Sequence, residues 1–188
     1  MEMSDSVMVW LAAAVLLFWA MGAYNRLVRL RSQGILAFAA LEGLFNQYLL
    51  MVKTNFPLAE ALQSSQTSDQ GQDLAVAAWR GLSAAAEQFN ASLKIAHAQP
   101  LNGPRIKALQ TALETLSLSW CRLRDLPPDL AGPALPGNLK TQWELLALQV
   151  EIARTEFNRR IDNYNEAIHQ FPALLLAWVF GFKSAQPL

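Results

Sequence analysis

The feature that most constrains this chain is an uncharged, mostly apolar run near its start. The stretch Val7–Gly22 reads VMVWLAAAVLLFWAMG, and the uncharged run extends from Ser6 through Asn25. A helix of roughly 20 apolar residues crosses a bilayer core of about 30 Å. No other stretch of the chain is as long and as apolar. The sequence therefore predicts one transmembrane helix to which everything after residue 25 is attached.

A cleaved signal peptide is the alternative interpretation of this run. Signal peptides begin with basic residues and end at a cleavage site of small residues. The first residues here include Glu2 and Asp5 but no Lys or Arg, while Ala20–Ala23 (AMGA) resembles a cleavage site. The helical pattern continues through that site without a break. We favour a retained anchor.

Three arginines follow the run, and they predict its orientation. Arg26, Arg29 and Arg31 lie just after the span, whereas no basic residue precedes it. Positive charge is enriched on the cytoplasmic side of membrane proteins. We therefore expect a single-pass protein of the bacterial inner membrane, with its N-terminus outside and its body in the cytoplasm. Setting topology is favoured over specific lipid binding, although arginines also attract anionic headgroups.

The remaining composition indicates one ordinary domain. The chain has 188 residues, with 15 basic and 15 acidic side chains. We divide it into the N-terminus and anchor, residues 1–25, and a bundle domain, residues 26–188. No basic stripe lies beyond the arginines, so a nucleic-acid partner is not expected. Cys121 is the only cysteine, which excludes an intramolecular disulfide and agrees with a reducing compartment.

Beyond the span, apolar residues recur every three or four positions, which is one face of a helix. The stripe consists of Leu27, Leu30, Phe38, Leu41, Phe45, Tyr48, Val52 and Phe56. It predicts one helix from Val7 to Phe56 that ends at Pro57, because the residue before a proline disfavours helical geometry. Gly34 lies on this stripe and predicts either a close neighbour or a bend.

Three more helices are predicted, and strand-like alternation is absent, so the fold class is all-α. A polar loop at Gln63–Gln72 precedes a helix from Asp73 to about Ala98. Its inner stripe is Val76, Trp79, Leu82 or Ser83, Ala86, Phe89 or Asn90, Leu93 and His97. The turn Gln99–Gly103 leads to a helix from Pro104 to about Arg124, with Ile106, Leu109, Leu113, Leu116 and Trp120 inward. A connector rich in Pro and Gly, Asp125–Asn138, follows it.

The last long helix begins near Leu139 or Thr141 and ends before Pro172. Its stripe reads Trp143, Leu146, Val150, Ala153, Phe157, Ile161, Tyr164, Ile168 and Phe171. The spacing, close to 3.5 residues, is typical of a bundle or coiled-coil seam with a local stutter. The apolar segment ALLLAWVFGF after Pro172 is too short to cross a membrane. We favour packing on the bundle over an interfacial anchor for this segment.

Aromatic–Asn pairs recur along the chain and are the first candidate site. They are Tyr24-Asn25, Phe45-Asn46, Phe89-Asn90, Phe157-Asn158 and Tyr164-Asn165. Asn158 and Asn165 are seven residues apart and share one helix face beside the seam. Such residues either fix register and oligomeric state, which we favour, or line a polar groove for a peptide or small molecule.

No catalytic, cofactor-binding or metal-binding residues are predicted. His97 and His169 are far apart in sequence, and Glu166 with His169 forms an i, i+3 pair typical of a surface contact. Cys121 has no evident base beside it. Phosphate-binding loops and nucleophile elbows are absent as well. We therefore expect a protein that is not an enzyme and binds no cofactor.

Two blocks of the chain resemble the LemA family. Near the start, Tyr24–Arg31 (YNRLVRLR) resembles the family's N-terminal signature directly after a single span. In the last helix and tail, the resemblance includes Glu151–Arg154, Phe157-Asn158, Tyr164–Ile168, Phe171-Pro172 and Phe180–Lys183. Residues 37–52 depart from the family, since its basic and proline-containing elements are missing there, so the chain resembles a divergent member.

The resemblance implies an antiparallel helical bundle on a membrane anchor, and it supplies no activity. Our first hypothesis is a membrane-anchored scaffold or interaction module without catalytic chemistry, held in the bilayer by Val7–Gly22. It self-associates or binds a membrane-protein partner. The alternative is a membrane-tethered sensor that binds a small molecule, peptide or lipid in or beside the bundle.

Overall fold

The chain folds into helices, in agreement with the predicted all-α class. The computed structural model describes residues 2–64, 70–127, 135, 137–171 and 173–188, with side chains described from Val7 to Phe56 and from Leu74 onward within those ranges. Its elements are α1 (Glu2–Ser64), α2 (Gln70–Ala98), α3 (Gly103–Arg124), α4 (Gly137–His169) and α5 (Ala173–Phe180). Helices α1 to α4 form a bundle, and the first part of α1 extends beyond it.

Helix α1 is longer than predicted. It comprises 63 residues, or about 95 Å at 1.5 Å per residue. The predicted end at Pro57 is wrong, because the helix continues to Ser64. A proline removes one backbone hydrogen bond, here to the carbonyl of the exposed residue Lys53, which water can satisfy. Just before it, the Asn55 side-chain amide donates to the Met51 carbonyl at 2.8 Å, which adds a bond to this turn.

The core forms where α1 lies between α2 and α4. Phe45 of α1 meets Phe89 of α2 edge to face, with ring centroids 5.1 Å apart. On the α4 side, Phe38 meets Phe157 at 5.8 Å. Tyr48 packs on Trp143 at 4.4 Å, farther along α1 but earlier along α4. The two helices are therefore antiparallel, as the family resemblance implied.

Helix α3 folds back on α2 after the predicted tight turn. The Asn102 side chain caps α3 by accepting a hydrogen bond from the Arg105 amide at 3.4 Å, and Pro104 lies in the first turn. Helix α3 meets α4 through Trp120 and Trp143, whose rings stack with centroids 4.1 Å apart. Apart from this contact, α3 packs mainly on α2, and α4 packs mainly on α1.

Most of the predicted inward positions are buried or half-buried, and two are exposed. The stripe residues of α1, α3 and α4 line one continuous core. His97, however, is exposed, and the small residue Ala96 occupies the buried position beside it. Phe171 is also exposed, at 71 %. It lies beyond the end of α4, where the bundle no longer covers it.

Gly34 marks a close approach. A Cβ atom at this position would lie 3.3 Å from Ile161 Cδ1 of α4 and 3.4 Å from Leu101 Cδ2 of the α2–α3 turn. Of the two predictions for this glycine, a close neighbour is therefore confirmed. The absence of a side chain lets α1 contact both elements at one level.

The helices extend into both of the predicted loop regions, so the described parts of these loops are shorter than predicted. Residues 63, 64 and 70–72 of the predicted polar loop belong to α1 and α2, and residues 65–69 lie outside the described part. Helix α4 begins at Gly137, inside the predicted connector. Residues 128–134 and 136 of that connector are not described.

Candidate functional site

The first part of α1 projects from the bundle as a bare apolar helix. Its most apolar window of 18 residues has a mean hydropathy of 2.0, and none of that window is buried. Large side chains such as Trp10, Leu17 and Phe18 are exposed there. By length and composition, this is the one helix in the described part of the chain able to cross a membrane.

Helix α5 packs against the end of this apolar segment. Phe171, at the turn into α5, lies 5.3 Å from Trp19, measured between ring centroids. At the other end of α5, Phe180 lies 5.0 Å from Tyr24. Ala173 and Ala177 are the buried residues of α5, and their small side chains allow the close contact. The predicted packing of this segment is thus against α1 and the end of α4.

The rest of α5 is apolar and uncovered. Leu174, Leu175, Val179 and Phe180 are exposed, and Trp178 is 85 % exposed. Residues 171–182 contain no charged side chain. This surface is continuous with the exposed face of α1, because two grooves run along the contact between the two helices, and the larger one is apolar.

The larger groove has a volume of about 530 Å³ and is lined by Leu17, Phe18, Ala20, Met21, Tyr24, Leu176 and Phe180. The smaller groove, of about 350 Å³, lies at the turn between α4 and α5 and is lined by Phe18, Trp19, Gly22, Ala23, Arg26, Gln170, Phe171 and Ala173. Phe18 lines both grooves.

The three arginines lie on the bundle side of this apolar surface. Arg26 and Arg29 are exposed, and Arg26 closes one end of the smaller groove. The Arg31 guanidinium carbon lies over the ring of Phe182, 5.9 Å from its centroid. Phe182 also approaches Tyr24 at 6.1 Å, so the residues after α5 are joined to α1 at this level.

Asn158 and Asn165 bind the end of the chain. The segment that follows α5, residues 181–188, is called the tail here. The Asn165 side chain donates to the Ala185 carbonyl at 2.8 Å and accepts from the Ala185 amide at 2.9 Å. Asn158 makes the same pair of bonds with Leu188, at 2.9 Å and 2.7 Å. The tail therefore runs antiparallel to α4.

A third residue of α4 also binds the tail. The Tyr164 hydroxyl donates to the Lys183 carbonyl at 3.1 Å. Burial raises the pKa of Tyr164, and the nearby Arg31 opposes that rise in part. A neutral hydroxyl is the form that donates this bond, so the raised pKa is consistent with the contact.

The tail lies on the α3–α4 side of the bundle. Ala185 and Leu188 are buried, and Gln186 lies against Gly103 at the start of α3. Beyond Leu188 the same side opens into a groove of about 410 Å³, lined by Gln110, Leu113, Glu114, Ser117, Leu118 and Arg154.

The comparison with known families gives one result. The LemA family model matches residues 78–188, which include α3, α4, α5, the tail and most of α2. The chain belongs to the LemA family. No curated protein and no solved structure matches it.

The family match and the two resembling blocks coincide only in part. The C-terminal block, with the tail-binding Asn158 and Asn165 of this LemA-family chain, lies inside the matched region. The N-terminal block at 24–31 and the departing residues 37–52 lie outside it. Sequence reasoning placed the two asparagines on one face beside the seam and missed their partner. The signal available was the seven-residue spacing, because it equals two helical turns.

The histidines and the cysteine of this family member are not gathered into a site. His97 Nδ1 lies 2.9 Å from Glu42 Oε2 on α1, at an exposed position. His169 Nε2 approaches the Ser184 hydroxyl of the tail at 3.5 Å, and Glu166 instead accepts from Gln170. Cys121 is a free thiol, half-buried. Within the described ranges, no three His, Cys, Asp or Glu residues are grouped to hold a metal ion.

Proposed function

We propose that this LemA-family chain is a membrane-anchored helical interaction module without catalytic chemistry. One observation carries the proposal: α1 is both the bare apolar helix and the central helix of the bundle. A bundle built on such a helix is held at the membrane surface in a fixed orientation. Val7–Gly22 is the proposed contact with the bilayer of the bacterial inner membrane.

The proposed interaction surface is an apolar stripe on α4. Leu145, Leu148 and Ile152 are 57 %, 64 % and 72 % exposed. Their spacing of three and then four residues is that of a coiled-coil seam. A second copy brings the same stripe, and a two-fold axis lets the two stripes face each other. We therefore propose self-association through α4, with a membrane protein as the alternative partner.

Self-association is tested by the mass of the detergent-solubilised protein, measured by sedimentation with and without cross-linking in membranes. Leu148→Glu with Ile152→Glu should dissociate the oligomer, because the charges cannot be buried in a seam. Leu50→Glu, at an exposed position of α1, is the matched control. A strictly monomeric wild type that cross-links to no membrane protein would contradict the proposal.

The proposed orientation places the bundle in the cytoplasm, supported by the positive charge of Arg26, Arg29 and Arg31. Because Cys121 is half-buried, the test uses Gln142→Cys in a Cys121→Ser background, at an exposed position of α4. A membrane-impermeant thiol reagent should label it only after cells are permeabilised. Labelling in intact cells would reverse the orientation and favour a sensor of the cell envelope.

A ligand sensor is the second candidate. The groove beyond Leu188 supports it, since Gln110, Glu114, Ser117 and Arg154 give that groove a polar lining beside Leu113 and Leu118. Native mass spectrometry of the purified protein should then reveal a co-purified small molecule that is lost in Arg154→Ala. A spectrum with the mass of the protein alone would argue against this candidate.

A further inference from the structure

Aromatic contacts at its two ends fix the position of α5 along α1. Phe171 contacts Trp19, which is seven residues before Arg26. Seven helical residues correspond to about 10 Å. The Phe171 ring at the turn between α4 and α5 therefore reaches about 10 Å farther into the apolar segment than the first arginine. From this turn α5 rises again, and Phe180 reaches the level of Tyr24.

This depth matches that of an interfacial helix. Helices that lie in the membrane interface bury their apolar face about 5–10 Å into the boundary between headgroups and acyl chains. Leu174 and Leu175 follow directly after the deepest point, and Trp178 lies near the upper end of α5. Tryptophan is enriched at membrane interfaces because its ring is amphipathic.

Exposure in water does not explain the composition of α5. Its side chains are all apolar, and five large ones are uncovered: Leu174, Leu175, Trp178, Val179 and Phe180. An amphipathic surface helix would carry polar residues on this face. The uncovered face also joins the bare surface of α1 through the larger groove, which is apolar. Whatever covers Leu17 and Phe18 of α1 also covers this side of α5.

The charged residues are arranged around this surface in agreement with a bilayer. Arg26 and Arg29 are exposed above it, and Lys183 is the first charge after α5. Basic residues at this level are attracted to the anionic surface of a bilayer. Phe182, packed between Tyr24 and Arg31, returns the chain to the bundle at the level of these charges.

We propose that α5 is a second membrane-contacting element, a re-entrant helix in the same leaflet as the end of the span. Acyl chains of that leaflet cover Leu174, Leu175 and Val179 and fill the grooves between α1 and α5. This inference rests on the proposed membrane anchor. The occupant is lipid rather than a second copy, because the surface is continuous with the span and Arg26, Arg29 and Lys183 lie at its upper edge.

The test measures depth in the chain of residues 1–188. In a Cys121→Ser background, a single cysteine is placed at Leu175, with Val179 as a second position, and labelled with an environment-sensitive fluorophore. The protein is reconstituted into nanodiscs of phosphatidylcholine and phosphatidylglycerol, with or without bromine on the acyl chains. Matched controls carry the label at Leu16 in the span and at Gln142 on the bundle. All four positions are exposed.

We expect bromolipid to quench the label at Leu175 within about twofold of its quenching at Leu16, as an interfacial depth requires, and not to quench it at Gln142. Quenching at Leu16 but at neither Leu175 nor Val179 would overturn the inference and leave the anchor intact, a result that a second copy covering α5 would also give. Absence of quenching at Leu16 would overturn the anchor itself, and the inference with it.

Discussion

Asn158 and Asn165 bind the tail through its backbone alone. Their separation of seven helical residues is about 10.5 Å. The residues they hold, Ala185 and Leu188, are three apart, and three residues of extended chain span about 10 Å. The two separations match, so the side chain of each asparagine bonds to one amide and one carbonyl of the tail. Side chains at the exposed positions Ser184 and Pro187 take no part in this pairing.

Replacing Asn165 by Ala should release the middle of the tail. The substitution removes two hydrogen bonds, each worth about 1 kcal/mol net. Hydrogen exchange at the Ala185 amide should therefore accelerate about 30-fold, measured by mass spectrometry. Asn163→Ala, at an exposed position of the same helix, should leave that rate unchanged. Equal rates in the two variants would contradict the role given to Asn165.

Tyr48 should be the last tyrosine of the bundle to ionise. Burial raises its pKa from 10.0 to about 12. Below pH 10 the Tyr48 hydroxyl is neutral in both the folded and the unfolded chain, so its ionisation does not lower the free energy of unfolding. As the pH rises from 10 to about 12, the unfolded chain loses the proton and the folded chain keeps it, so stability falls.

Ultraviolet titration of tyrosinate checks this prediction directly. Tyr48→Phe should remove the component that titrates highest, and it should reduce the loss of stability between pH 10 and about 12. Tyr24→Phe is the control, since Tyr24 is an exposed residue of α1. A highest component that persists in Tyr48→Phe would show that the ring is not buried as described.

At the scale of the helices, two of the glycines of α1, Gly34 and Gly43, have different surroundings. Gly34 lies against Ile161 and Leu101, whereas a Cβ atom at Gly43 would meet nothing within 4 Å. Glycine inside a helix costs about 0.5–1 kcal/mol relative to alanine. Gly43→Ala should therefore gain most of that amount. Gly34→Ala should gain less or lose stability, because its neighbours must move.

Chemical unfolding in detergent, with the free energy of unfolding compared for both variants and the wild type, measures this difference. Gly34→Leu adds a bulkier side chain at the same contact and should be destabilising, while Gly43→Leu should be tolerated. If both positions accepted leucine equally, α1 would not approach α4 and the α2–α3 turn as closely as described.

The periodicity of apolar residues predicted the helices well, because burial on one face imposes it. The periodicity failed where contacts with neighbouring helices determine whether a residue is buried or where a helix ends. His97 continues the stripe of α2 in sequence, yet Ala96 takes the buried position. His97 contacts Glu42 of α1 outside the core. Pro57 disfavours a helix locally, but the backbone hydrogen bond that it removes would go to the carbonyl of the exposed residue Lys53, which water can satisfy. Phe171 keeps the spacing of α4 and packs instead on Trp19, a contact that involves residues 152 positions apart.

The site was less predictable than the helices. The spacing of Asn158 and Asn165 identified their common face, and the apolar composition of ALLLAWVFGF raised an interfacial helix as an alternative. What the asparagines bind depends on the path of the chain after Gly181, whose φ of 69° reverses it. A single glycine with positive φ has no signature in periodicity, so the return of the tail along α4 could not be derived from the pattern.

For the whole molecule, the tail completes the α3–α4 side of the bundle. It contributes the buried side chains of Ala185 and Leu188 together with the bonds to Asn158, Tyr164 and Asn165. Deleting Phe182–Leu188 should lower the free energy of unfolding by about 2–4 kcal/mol and increase binding of a hydrophobic dye. Pro187→Ala, at an exposed position of the tail, should behave as wild type. Unchanged stability after the deletion would mean that the bundle is complete without the tail.

A single helix, α1, passes from the apolar segment into the core. A tilt of the apolar segment therefore also tilts the part of α1 that lies in the bundle. From Arg26 to Ser64, α1 extends about 57 Å at 1.5 Å per residue. In the proposed bilayer, a change in tilt of about 10° within the usual range of spanning helices moves the far end of that part of α1 by about 10 Å. In that proposed arrangement, a change in membrane thickness that alters the tilt of the span would move the bundle sideways.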